Sequence, residues 1–135
     1  MKITICGSIK FFDEMVGFQK QLKANGHEVF MPIKVVGVDY WSEDGKSRIE
    51  AKKGLGLVNE HLNKIEKSDA ILVANYTKGD IKNYIGANTF IEMAFAHHNG
   101  NKIFILNPLP NQKYINDELV SFDGIVLNGD LNNIK

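Results

Sequence analysis

The run DAILVAN, residues 69–75, decides how the chain is read. Ala70 to Ala74 are apolar without a break, and the run is too short for an ordinary helix. A continuous apolar run of this length marks a strand covered on both faces, which is the habit of parallel sheets. KIFILN (102–107) repeats the pattern and is closed by Pro108. Toward the N-terminus, KITIC (2–6) is a β-branched run stopped by Gly7 and Ser8, and HEVFMP (27–32) is a second strand ended by Pro32. GIVLN (124–128) supplies a last strand. Helical spacing lies between them. Phe11, Met15, Phe18 and Leu22 place a helix over 10–24, with Asn25-Gly26 as its stop. One helix is predicted over 47–67, weakened by Gly54 and Gly56, another over 89–98 ended by Asn99-Gly100, and a short one over 116–121. Strands alternating with helices predict an α/β fold with a five-stranded parallel sheet, order 2-1-3-4-5, and helices on both faces.

The 135 residues fit one domain spanning 1–135. Sixteen basic and 16 acidic residues cancel, so no overall field favours nucleic acid or an anionic membrane. No stretch is long enough to span a bilayer, and MKITICGS is too short an apolar run for a signal peptide. The single cysteine, Cys6, excludes an intramolecular disulfide and fits a reducing compartment. The expectation is a cytoplasmic protein.

Parallel sheets of this kind bind ligands at the carboxyl ends of their strands. Those ends are Gly7-Ser8, the segment 75–88, and Asn107. Glu92 follows on that side, inside the apolar run of Phe90, Ile91, Met93, Ala94, Phe95 and Ala96. Two readings are open for it. Thr89-x-x-Glu92 matches a capping box, in which the carboxylate merely reaches back to the helix start. A helix apolar on all sides is usually enclosed, and an enclosed carboxylate needs a partner or a pocket. GSIKFF (7–12) and YIGAN (84–88) are turns entering helices. Each is either a plain tight turn or a set of free amides for an anion. Side by side at one sheet edge, they suggest a small anionic or polyhydroxylated ligand. Tyr40 and Trp41, in a long loop, read as a stacking lid or as a surface clasp. His61 lies beside an apolar stripe where most histidines pack, and His97-His98 suit a helix C-terminus. Neither has metal-ligand spacing, so no metal and no cofactor are expected. Asp69 opens its strand on the far side and reads as structural.

ICGSIK (5–10), DAILVAN (69–75) and GANTFIEMAFA (86–96) together resemble the nucleoside 2-deoxyribosyltransferase superfamily, most closely its 2′-deoxynucleoside 5′-monophosphate N-glycosidase branch. The resemblance covers roughly residues 3 to 107. It implies a flavodoxin-like, Rossmann-like fold and a homodimer or larger homo-oligomer. It implies an enzyme that cleaves or transfers the N-glycosidic bond of a 2′-deoxynucleoside or its 5′-monophosphate, a small-molecule substrate. The position of the family nucleophile is Glu92. The residues matching the sugar and phosphate contacts are Gly7, Ser8, Lys10, Gly86, Ala87, Asn88 and Thr89, with Asn128 as the counterpart of a polar residue lent by a neighbouring subunit. The chain departs from the branch at two places. His61 stands where the branch carries its assisting Asp, and IGAN replaces the usual Ser-x-Gly spacing. As family acid, His61 would assist the leaving base or orient the sugar. The alternatives are a nucleotide-binding or sensor domain of the same fold without catalysis, and an interaction domain in which Glu92 is only a cap.

Overall fold

The computed structural model describes residues 1–135. Its centre is a parallel sheet with strand order β2-β1-β3-β4-β5, as the alternation predicts. The strands are β1 (Lys2–Cys6), β2 (Glu28–Phe30), β3 (Ala70–Val73), β4 (Lys102–Ile105) and β5 (Ile125–Val126). β3 lies between β1 and β4, with Ile3 opposite Ala70 and Ile71 opposite Ile103. Every residue of β3 is fully buried, which is why its sequence shows no polar alternation.

Side chains alternate across the sheet and divide the core in two. Ala70 and Leu72 join Ile3, Ile5 and Phe104 on one face, under Met15 and Leu22 of α1 (Phe12–Ala24). Ile71 and Val73 join Cys6, Ile103 and Ile105 on the other. That face is covered by Ile65 of α3 (Leu57–Glu66), Met93 and Ala96 of α4 (Ala87–Asn99), and Leu119 of α5 (Asn116–Ser121).

Local backbone chemistry corrects two boundaries. The single helix expected over 47–67 is two, α2 (Lys46–Leu55) and α3, because Gly56 takes a left-handed conformation at φ 59°. Glycine alone adopts that φ without strain, so it ends one helix and starts the next at a new angle. The helix containing Glu92 begins at Ala87, not Thr89. It is also not enclosed on all sides. Ile91 is half-exposed, and burial is confined to Thr89, Glu92, Met93 and Ala96.

The ligand-side ends of β3 and β4 are tied by two asparagines. Asn107 N–H donates to Asn75 Oδ1 at 2.9 Å, and Asn107 Nδ2 donates to the Asn75 carbonyl at 2.9 Å. Asn75 Nδ2 donates in turn to the Asn107 carbonyl at 3.0 Å. Asn75 is buried, so removing its amide strands partners away from water. Asn75→Ala is expected to lower the free energy of unfolding by about 2 kcal/mol in urea denaturation.

Candidate active site

Three loops converge at the carboxyl edge of the sheet. Gly7, at the end of β1, leads into a single 3-10 turn, Ile9–Phe11, before α1. A Cβ at Gly7 would sit 2.9 Å from Met15 Cε and 3.1 Å from the Ala74 carbonyl oxygen, so only glycine lets this turn lie against β3. Ser8 caps the turn, its hydroxyl accepting from Lys10 N–H at 3.3 Å. Across from it, Gly86 opens α4 with no side-chain cap. The amides at this helix start are therefore free to face a ligand.

The capping box is not formed. With α4 starting at Ala87, Thr89 lies inside the first turn and Glu92 in the second, beyond the reach of the cap amide. Glu92 is instead 4% exposed and turned toward α3, where its Oε2 lies 3.2 Å from His61 Nε2. His61 is likewise buried, and its Nδ1 has no hydrogen-bond partner. Cys6 Sγ lies 3.7 Å from the same Nε2. The three groups come from β1, α3 and α4, and only the crossing of the two helices over the sheet brings them together.

Burial dominates their protonation. Desolvation pushes the Glu92 carboxyl up to about 8, with Lys52 pulling weakly the other way. Desolvation and the nearby Lys64 push His61 down to about 4. Burial, and the Glu92 charge after it, hold the Cys6 thiol well above its usual value. Between those limits the carboxyl–imidazole pair behaves as one unit holding one proton. The thiol, imidazole and carboxyl atoms lie within 4.8 Å of one another, the one set that could ligate a metal. Ligation would require the thiol and the carboxyl to give up their protons.

The pair forms the floor of an inner pocket that leaves ≈ 70 Å³ for the centre of a water-sized sphere. Pro32, Ile33, Leu57 and Val58 give it apolar walls, and Tyr40, Arg48, Lys52 and Glu60 line it as well. An outer pocket, ≈ 330 Å³ on the same measure, shares Gly7, Ile9, Tyr40, Arg48, Lys52 and Asn88 with it. The outer pocket adds Ser8, Lys10, Lys78, Tyr84, Gly86, Ala87 and Thr89. All the residues matched to the family's site thus line these two spaces except Asn128, which is exposed and lines neither. Tyr40 lines both pockets, and its hydroxyl accepts from Val35 N–H at 2.8 Å, fastening its own loop. Trp41 is exposed, with Lys10 Nζ 4.7 Å from its ring centre. His97 and His98 are exposed on the far end of α4, and Asp69 accepts from Lys2 N–H at 2.8 Å, a structural bond.

Sequence reasoning missed Arg48, Lys52 and Lys78. Arg48 and Lys52 recur four apart on α2 after a glycine-rich loop, a usable signal once that loop is placed at the ligand edge. Lys78 has no such signal.

No family model matches the sequence, and neither does any curated protein. Two solved structures share the fold. One is a 2-deoxyribosyltransferase from Bacillus psychrosaccharolyticus, with a TM-score of 0.55 and 16% identity over 78% of this chain and 71% of that one. The other is the CMP N-glycosidase of Clostridium botulinum, with a TM-score of 0.52 and 16% identity over 95% of this chain and 90% of that one. At such identity the likeness establishes the architecture alone.

Proposed function

We propose that this protein is an enzyme acting on the N-glycosidic bond of a 2′-deoxynucleoside or its 5′-monophosphate, with Glu92 as nucleophile. The observation that carries the reading is the buried Glu92–His61 pair, 3.2 Å apart, at the floor of a pocket open toward cationic side chains. A cap or an inert core carboxylate has no need of a proton-accepting partner and a pocket together. The two structural neighbours act, by their names, as a deoxyribosyltransferase and an N-glycosidase, which supports the same chemistry here.

In this mechanism the one proton of the pair, held by Glu92 at rest, passes to His61 Nε2 as substrate binds and leaves Glu92 ionised. A carboxylate oxygen attacks C1′ of the sugar, the C1′–N bond breaks, and its electron pair departs with the base. The base takes up the proton from His61. Water, or a second base, then attacks C1′ and releases the carboxylate, and the proton that the acceptor loses returns to the imidazole. Apolar walls around the pair exclude bulk water from the charge as it moves. Ser8, the amides of Gly86 to Thr89, and Lys10 hold the sugar and its 5′ group. Asn128 belongs in this scheme only as a residue offered to another copy in a homo-oligomer. A cytoplasmic setting fits the same reading.

Incubation with 2′-deoxynucleosides and their 5′-monophosphates, followed by chromatography, tests it. Free base should accumulate, and adding a second base should yield an exchanged nucleoside if the enzyme is a transferase. Thermal stabilisation by nucleotide with no base released would show a binding domain instead.

A further inference from the structure

The outer pocket carries more positive charge than the reading above requires. Lys10, Arg48, Lys52 and Lys78 all line it, and no carboxylate does. The only ion pairs in the protein are Glu92 with His61 and Glu60 with Lys64, so none of the four cations is neutralised. Aromatic faces and carbonyls hold three of them in place instead. Lys10 Nζ lies 4.7 Å from the Trp41 ring centre and Lys78 Nζ 5.0 Å from that of Tyr84. Arg48 Nη1 donates to the Tyr40 carbonyl at 3.3 Å. Lys10 is crowded as well: partial desolvation and then the charges of Lys78 and Arg48 hold its ammonium below the usual range.

These cations fall into two tiers. Arg48 and Lys52 line the inner and outer pockets, while Lys10 and Lys78 line the outer alone. A phosphate monoester brings a charge of only about −1.5 to −2 at neutral pH. One such group beside Arg48 and Lys52 leaves the outer tier without a counter-charge.

We propose that the outer tier binds a second phosphoryl group, so that the preferred ligand is a 2′-deoxynucleoside 5′-diphosphate rather than a monophosphate. The sugar rests over Glu92, the first phosphate passes between the Ser8 turn and the start of α4, and the second reaches Lys10 and Lys78. The nucleoside half of this ligand rests on the function proposed above, whereas the anion half rests on the cation tiers alone.

Calorimetric titration of Glu92→Gln, which binds without turnover, with mono- and diphosphates of one deoxynucleoside in the absence of divalent ions tests the proposal. The diphosphate should bind at least about tenfold tighter. Lys78→Met, an exposed substitution, should bring the ratio of the two affinities close to one. On the unmutated protein, inorganic pyrophosphate should raise the melting temperature at concentrations where orthophosphate does not. Equal affinities for the two nucleotides, or a preference that survives Lys78→Met, would overturn it. A diphosphate preference in a protein that never releases base would leave this assignment standing and remove the glycosidase reading. Base release from monophosphates with no diphosphate preference would do the reverse.

Discussion

Glu92→Gln should abolish base release, by at least about a thousandfold in kcat, while the protein folds as before. Glutamine keeps the shape and cannot form the glycosyl ester. The same variant carries a stability signature that a surface carboxylate would not have. In the folded protein Glu92 titrates at about 8, against 4.5 for an ordinary glutamate, so its contribution is full below about 4.5 and is lost as pH rises to about 8. His61 titrates at about 4 against 6.5, so its contribution is present above about 6.5 and is lost as pH falls through about 4. From 4.5 to 6.5 the folded and unfolded chains each hold one proton between the two groups, and the slopes cancel. From 6.5 to 8 only the folded protein keeps its proton, so stability should fall with rising pH. Urea denaturation across that window should show the decline in the parent and a flat line in Glu92→Gln. An equal decline in both would place the titrating group elsewhere.

His61→Ala should lower kcat by about a hundredfold and, more tellingly, change the shape of the pH profile. In the parent, activity should fall above about 8, where the pair loses its one proton and the departing base has none to take. Without the imidazole, Glu92 must give its proton to solvent before it can attack, so activity follows the ionisation of the carboxyl, pushed up to about 8 by burial. Activity in the variant should therefore rise with pH over the range where the parent declines. A histidine that merely filled space would leave the profile unchanged apart from a general loss. Added imidazole should restore part of the rate, since the vacated space adjoins the pocket.

Most of the architecture was legible because the signals were local. DAILVAN and KIFILN read as doubly covered strands since burial on both faces leaves no room for polar alternation. Alternation of strands and helices gave the parallel sheet, and the order 2-1-3-4-5 expected for such a fold is the one observed. Helix edges were less legible. Thr89-x-x-Glu92 has the letters of a capping box, yet the chain enters α4 two residues earlier, at Ala87. The left-handed backbone at Gly56 likewise divides a segment whose periodicity runs straight through it.

By itself, then, the sequence determined the strands, the helices between them and hence the parallel sheet, because each depends on burial patterns and turn residues within a short stretch of chain. The tertiary structure decided where Glu92 sits and what it faces. Glu92 and His61 are 31 positions apart and sit on different helices, so no local pattern joins them. Their 3.2 Å contact, and the burial that drives their titrations apart, exist only once α3 and α4 pack on the same face of the sheet. The gathering of Lys10, Arg48, Lys52 and Lys78 is of the same kind. With 16 basic and 16 acidic residues the chain is neutral as a whole. Charge at one pocket depends on which residues face it, and folding alone sorts the cations there from the carboxylates elsewhere.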